Sequence, residues 1–431
     1  MLELSPILLD RLLQTRDRCN GVSTDTRAEL SGQMFIALRG AHFDGNTFVG
    51  QALRAGAAHA VTTDRSWDGH PDVTVVPDEL GALQRFAWAY RKRWDCPVLG
   101  MTGSNGKTTT KELIRDVLAT TMSVHATEGN LNNHIGVPLT LLNAPAQPEF
   151  VVVEMGANHQ REIDLLARIA EPTCGYISNI GLAHLEGFGG ERGVFVGKKE
   201  LFDHLKSTGG LAFVQEGDAK VVEAAQGLAR RIPIDTPSWQ WNRTEHGSAS
   251  VTGPEGQACT VHLEGSYNLA NVVAAMRIGE HFGVPFELAC QALSAYLPSN
   301  HRSQAVQTSR NWVLLDAYNA NPSSVTHAIA DFVARGHARP LILLGDMAEL
   351  GYSSEQAHRN VALQALRAEA ELWTVGPQFG KVHRTEQVAG WTHWADFEGL
   401  AQHLQTEPPA QRRILVKGSR SAALERVMPY L

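Results

Sequence analysis

Val98-Leu-Gly-Met-Thr-Gly-Ser-Asn-Gly-Lys-Thr-Thr-Thr-Lys-Glu112 joins three signals in one stretch. Apolar residues run from Pro97 to Met101, a glycine-rich turn follows, and Leu113, Ile114, Val117 and Leu118 then recur with helical spacing. The reading is strand, anion-binding loop, helix. Gly103 and Gly106 let the backbone turn its N–H groups onto a phosphate, Lys107 reaches the β- and γ-phosphates, and the Thr108 hydroxyl sits on Mg²⁺. The full pattern GxxxxGK[ST] asks for glycine where this chain has Met101, and a bare GK[ST] match also marks ordinary strand-to-helix corners. Here the flanking strand and helix supply the context, so the stretch reads as a nucleotide site.

Residues 1–95 read as a small α/β unit. Asp25-Thr-Arg27 precedes a strand at Met34 to Leu38, a helix at Phe48 to Ala57 and strands at Ala60 to Thr62 and Val73 to Val76. A helix from about Asp78 to Trp94 carries Leu80, Leu83, Phe86, Ala87 and Tyr90 on one face. Arg27 taken alone is more often a surface residue than a ligand.

The central unit spans residues 96–298. Phe150-Val-Val-Val-Glu154 is a buried parallel strand that delivers Glu154 to its C-terminal edge, where α/β sheets bind ligands and a carboxylate can partner Mg²⁺. A capping or salt-bridging glutamate is the plainer alternative. Asn130, Asn132 and Asn133 either make turns through their own side chains or bind a polar substrate. His184, just past a strand at Thr173 to Ile180, meets the same cleft or is a hydrogen-bonded structural histidine. Lys198 lies in a helical pattern and by itself reads as solvated. Ala219 to Gly265 reads as mixed strand and loop, with Trp239 and Trp241 unassigned, and helices follow at Tyr267 to Gly279 and Glu287 to Leu297.

Pro298 to Ser303 reads as a hinge into a third unit, residues 299–431. Strands at Trp312 to Asp316, Pro340 to Asp346, Leu372 to Val375 and Arg413 to Val416 alternate with helical stretches, the rhythm of a mostly parallel sheet. Asp316, Asp346 and Lys417 stand at strand ends, which suggests a unit that closes over a ligand.

The chain has 431 residues, enough for several cores, and a net charge of −7 with no Lys/Arg tract, which argues against nucleic acid or a membrane surface as main partner. Five scattered cysteines without a CxxC pair point to free, buried thiols in a reducing compartment. No apolar span is long enough to cross a membrane, and the N-terminus does not read as a signal peptide, so a cytoplasmic monomer is expected.

Thr102-Gly-Ser-Asn-Gly-Lys-Thr-Thr-Thr110, Glu154-Met-Gly156, Asn179-Ile-Gly-Leu-Ala-His-Leu-Glu-Gly187 and Lys198-Lys-Glu200, in that order, resemble the Mur ligase family. Asp316-Ala-Tyr-Asn-Ala-Asn-Pro322, Leu344-Gly-Asp-Met-Ala-Glu-Leu-Gly351 and Val416-Lys-Gly-Ser-Arg-Ser421 resemble its branch that adds D-alanyl-D-alanine to UDP-N-acetylmuramoyl-tripeptide. The resemblance runs from Asp25 to Arg420. It implies three domains: an N-terminal α/β substrate domain, a central ATP-binding parallel-sheet domain and a C-terminal Rossmann-like α/β domain. ATP and two Mg²⁺ ions are implied as cofactors. The nucleotide would be held by Thr102, Gly103, Ser104, Asn105, Gly106, Lys107, Thr108 and Thr109, with Asp316 and Asn319 on adenine and ribose and Arg302 at the domain junction. The metals would rest on Thr108, Glu154, His184 and Lys198, the last as a carbamylated lysine. Arg27, Asn130, Asn132 and Asn133 would meet the nucleotide-sugar substrate. Lys417, Ser419 and Arg420 would lie near the incoming peptide or the closing interface. Three departures stand out: Leu182 where proline is usual, Lys199 where glycine is usual and Tyr267 where histidine is common.

The implied chemistry makes an amide through an acyl phosphate. A sister ligase adding diaminopimelate or lysine would carry an Asp-Asn-Pro-Arg segment, which this chain lacks. A P-loop switch would account for the loop and Glu154 but not for His184, Lys198 and a third unit together. A non-catalytic scaffold would have no reason to keep Lys107, Thr108, Glu154, His184 and Lys198.

Overall fold

The structure is a computed structural model that describes residues 4–244, 248–298, 302–336, 340–386 and 388–431. Its strands form four sheets. A four-stranded parallel sheet is built from Val22–Ser23, Met34–Ile36, His59–Thr62 and Val73–Val75. A six-stranded, all-parallel sheet has the order Arg231–Ile234, Leu211–Gln215, Cys174–Ile177, Val98–Thr102, Phe150–Glu154, Val124–Ala126. A small antiparallel sheet of Gln240–Arg243, Ala249–Thr252 and Ala258–Val261 follows. The last sheet, six-stranded, is parallel except for Gln304–Gln307, which pairs antiparallel with Trp312–Asp316. Three α/β bodies with helices against parallel sheets match the expected class.

Val98–Thr102 sits in the middle of its sheet and is buried at every position, as a nearly continuous apolar run in a doubly covered parallel sheet should be. Phe150–Glu154 beside it is equally buried, so Glu154 is carried inward by four apolar neighbours.

The Glu79–Arg91 helix buries Leu83, Phe86, Ala87 and Tyr90 against the helices Gly136–Leu142 and Glu162–Ala170. Arg91 Nε donates to Ala170 O at 3.0 Å, Arg16 Nε to Leu142 O at 2.6 Å and Val22 N to Asn143 Oδ1 at 2.8 Å. One hydrophobic core therefore runs from Leu4 into the central sheet's helices, and the first sheet is fixed on the second.

Several elements have weaker sequence signals. The Pro6–Arg16 helix begins at the Ser5 cap, and the segment after Ala219 opens with a helix, Ala219–Ala224, capped by Asp218, which corrects the strand-and-loop reading there. In the third body the helices Pro377–Glu386 and Phe397–Thr406 and the strand Trp391–Trp394 were not legible. The hinge stretch Pro298 to Ser303 lies partly outside the described residues. All five cysteines are free, with Cys19, Cys174 and Cys259 buried. Among the described residues no helix is long and apolar enough to cross a membrane.

Candidate active site

Two glycines shape the loop that starts the Lys107–Leu118 helix. Gly106 caps it at φ 77°, where a Cβ would come within 2.7 Å of Asn271 Oδ1. At Gly103, φ 150°, a Cβ would lie 2.0 Å from Ser178 Oγ. A side chain at either place would need both a rare backbone angle and space that is filled. Residues 178–181 hold the loop from the neighbouring strand's end: Ser104 N donates to Asn179 O at 3.0 Å, Asn105 N to Asn179 Oδ1 at 2.9 Å, Ser178 Oγ to Asn105 O at 2.7 Å and Gly181 N to Ser104 Oγ at 2.9 Å. Lys107 Nζ donates to Gly103 O at 2.7 Å. Desolvation holds its pKa below the usual lysine value, with Glu154 opposing and Arg302 adding to the shift.

Glu154 stands beside this loop, 1% exposed. Its Oε1 accepts from Asn132 Nδ2 at 2.8 Å and from Thr108 Oγ1 at 3.4 Å. Its Oε2 has no hydrogen-bond donor and faces Lys111 Nζ at 3.6 Å. A buried carboxylate oxygen left without a donor is costly. Next to a threonine hydroxyl at a phosphate loop it is a place for a hard divalent cation, so Thr108 and Glu154 fit Mg²⁺. Among the described residues no cluster of three or more His, Cys, Asp or Glu gathers.

The opposite wall comes from the third body. Lys417, almost wholly buried, pairs with Asp316 at 2.5 Å and donates to Asn319 O at 3.3 Å. Ser303 N donates to Asp316 Oδ1 at 3.2 Å, Tyr267 Oη and Ser303 Oγ are 2.8 Å apart, and the Arg302 guanidinium stacks on Tyr318 at 3.7 Å. Together the walls enclose a cleft of about 1660 Å³, more room than a single small ligand needs.

Models of the Mur ligase middle domain and of the Mur ligase glutamate ligase domain match residues 101–279 and 301–420, and a UDP-N-acetylmuramoyl-tripeptide–D-alanyl-D-alanine ligase of Bacillus subtilis is 34% identical over 96% of this chain and 93% of its own length. The chain belongs to the Mur ligase family. The ligase of the same name from Escherichia coli is 33% identical, covering 100% of this chain and 97% of that one. A crystal structure of MurF from Acinetobacter baumannii superimposes with a TM-score of 0.84 at 29% identity, covering 98% and 97% of the two chains.

Within this Mur ligase the cleft brings together Ser104, Asn105, Gly106, Lys107, Thr108, Thr109, Asn130, Asn132, Asn133, Glu154, His184, Arg302, Asp316, Asn319 and Lys417. Several other residues singled out in the sequence do not form its wall, among them Ser419, which is buried with its N–H donating to Asp346 O at 3.1 Å. Thr102 lies under the loop, its Oγ1 donating to Met155 O at 2.7 Å, and Gly103 turns the chain behind it. Lys198 is fully buried behind Ala157, its Nζ donating to Ala157 O at 3.4 Å and 5.2 Å from the Phe188 ring. The solvated-helix reading of Lys198 is thus corrected: the helix Glu191–Thr208 turns this face inward. Arg27 is exposed and grips Asp25 in a two-pronged pair away from the cleft. Arg420 is also exposed, pairing with Glu425 at 3.4 Å near the rim residue Tyr318.

The open readings resolve in part. Asn133 Oδ1 accepts from Ile135 N and Gly136 N, a turn role, while Asn132 spends its amide on Glu154. His184 Nδ1 contacts the Glu349 carboxylate, which lies across the cleft in the third body, and this contact holds Glu349 below its usual carboxylate pKa. Asp346 does not face the cleft as a strand-end ligand; it accepts from Gln378 N at 2.8 Å and Phe379 N at 3.0 Å and caps the Pro377–Glu386 helix. Reading the sequence missed Lys111, whose spacing of four from Lys107 on one helix was the available signal. It assigned no role to Asn321 or Glu349, although both lie within the motifs quoted above, and it missed Ser323, just past the first of them.

Proposed function

We propose that this chain joins D-alanyl-D-alanine to the terminal carboxylate of UDP-N-acetylmuramoyl-tripeptide, with ATP consumed, giving UDP-N-acetylmuramoyl-pentapeptide, ADP and phosphate. What supports it is one cleft in which a phosphate loop, a buried carboxylate with one oxygen lacking a donor and a charge pair from a third body face one another, in a chain matched end to end by ligases of that name. The units at 1–95, 96–298 and 299–431 then serve as nucleotide-sugar, ATP and closing domains.

A carboxylate is a poor electrophile, and phosphorylation makes it one that an amine can attack. The loop amides and Lys107 stabilise charge that builds on the transferring phosphoryl oxygens. Thr108 and Glu154 would hold Mg²⁺, with Asn132 fixing the carboxylate, and His184, now paired with Glu349, would be available to a second ion. The metal supplies charge neutralisation on the phosphates when bound. Asp316, Asn319 and Arg302 take the adenosine end, and Lys417 orients Asp316. The closing wall excludes water from the acyl phosphate so that the amine of the dipeptide is the nucleophile that arrives.

Lys198 serves this reading as a carbamate. It is fully buried, no carboxylate among the described residues lies within ion-pair distance, and desolvation, with Lys107 adding to it, depresses its pKa strongly. A neutral amine in such a place bonds to CO₂ through nitrogen and releases one proton, leaving an anion that tolerates a neighbouring cation where an ammonium would repel it. ATP and UDP-linked sugars are solutes of the cytoplasm, which is where a monomeric enzyme of this kind would act.

The test is phosphate release from Mg·ATP and UDP-N-acetylmuramoyl-tripeptide with D-alanyl-D-alanine present or omitted, with mass spectrometry of the products. Dipeptide-dependent release with a UDP-linked pentapeptide is the expected result; release indifferent to both substrates sinks the reading.

A further inference from the structure

The first turn of the helix Pro322–Val333 lies directly on the phosphate loop's support. Asn321 Nδ2 donates to Asn105 Oδ1 at 2.7 Å, and two residues further on Ser323 Oγ accepts from Leu182 N at 3.0 Å. Both contacts fall on a braced segment, since Asn105 is held by Asn179 and Ser178, and its neighbour Ser104 is bonded in both directions to Gly181, which precedes Leu182. The helix end is stiff: Asn321 and Ser324 form a reciprocal capping box, with Ser324 N donating to Asn321 Oδ1 at 2.9 Å and Asn321 N to Ser324 Oγ at 3.1 Å. That box uses the oxygen of the Asn321 amide and leaves its nitrogen aimed at Asn105. Space at the second contact is equally defined, because a Cβ on Gly181 would lie 3.0 Å from Ser323 Oγ.

The Leu182 contact depends on a backbone N–H. Proline has none and cannot make it. We infer that Leu182 N–H and Ser323 Oγ are a positioning pair that, with Asn321 and Asn105, docks the third body on the phosphate loop and so couples closure of the cleft to phosphoryl transfer. The inference rests on the ligase reading for its catalytic consequence, but the docking itself does not. When the pair is lost the third body sits more loosely, and water reaches the acyl phosphate: the water oxygen bonds to the carbonyl carbon, the carbon–oxygen bond to phosphate breaks, and tripeptide carboxylate and phosphate are returned without amide.

Three single variants separate positioning from mere folding. Ser323→Ala removes the acceptor inside a helix that alanine favours, Leu182→Pro removes the donor, and Ser323→Thr keeps a hydroxyl. With both substrates and ATP present, Ser323→Ala and Leu182→Pro should raise phosphate released per pentapeptide formed by about two- to ten-fold, the range one net hydrogen bond spans. Ser323→Thr should match the unaltered chain, and the Leu182→Pro, Ser323→Ala double variant should leak no more than either single one, since both delete one contact. Small-angle scattering of the substrate-free proteins should show expansion in the two deleting variants and not in Ser323→Thr. Normal stoichiometry in both deleting variants, additive leakage in the double variant, or unchanged scattering overturns the inference. An unaltered protein that makes no pentapeptide would instead overturn the ligase reading, and scattering would still decide the docking.

Discussion

Asn132 Nδ2 donates to Glu154 Oε1 at 2.8 Å, the shorter of two bonds to that oxygen, and so helps fix which oxygen of the buried carboxylate is left without a donor. Deleting the donor frees the carboxylate to rotate and removes a fixed dipole behind the metal position. Asn132→Ala should raise the Mg²⁺ concentration for half-maximal activity by about 10- to 100-fold, the usual effect of losing a group that orients a metal ligand. A Mg²⁺ titration of initial rate checks it, and an unchanged midpoint would deny Glu154 its role.

Lys198 should make activity depend on dissolved CO₂. Enzyme held in carbonate-free buffer at mildly acidic pH should lose rate and regain it on adding bicarbonate. Lys198→Arg, whose guanidinium does not form a stable carbamate, should be inactive with and without bicarbonate. Carbon-13 bicarbonate should give a carbamate resonance in the unaltered protein that is missing from Lys198→Arg.

Gly106→Ala places a methyl group 2.7 Å from Asn271 Oδ1 at φ 77°. The strain of about 1–2 kcal/mol for a side chain in that region falls on the loop itself, because Asn271 is tied to Thr110 Oγ1 at 2.9 Å. Calorimetry should show ADP binding weakened about ten-fold or more, with far-ultraviolet circular dichroism unchanged.

His59 gives a pH-dependent stability. It is buried in the first sheet against Thr74 Oγ1 at 2.8 Å, and desolvation, with the Arg11 charge adding, depresses its pKa to about 4. The unfolded chain binds a proton near pH 6.5 while the folded chain resists until about pH 4, so stability is present above 6.5, falls as pH drops through that window and levels off below it. The loss is at most about 3 kcal/mol. Urea midpoints measured from pH 7 to 4 should fall more steeply for the unaltered chain than for His59→Gln; parallel curves would refute it.

Legibility followed the range of the interaction. The strand, loop and helix around Lys107 were readable because glycine spacing, an apolar run and helical periodicity are local properties of covalent neighbours, and Glu154 was readable because a charge after four apolar residues has few places to go. Lys198 by itself read as solvated, since nothing within its own turn says which helix face meets the core. Asp346 shows the opposite failure: a strand-end carboxylate looks like a ligand until a helix arriving 32 residues later uses it as a cap.

The sequence by itself determined the alternating α/β order, the phosphate loop and the ordered family motifs, all encoded in local backbone preference and residue type. Only the tertiary structure decided that Asn132 orients Glu154, that Lys198 is buried, that His184 meets Glu349 and that Asn321 and Ser323 rest on the phosphate loop. Those contacts join residues 22 to 216 positions apart. They exist because packing apolar helix faces against three parallel sheets fixes where distant strand ends and helix caps converge, and no stretch of sequence carries that distance within itself.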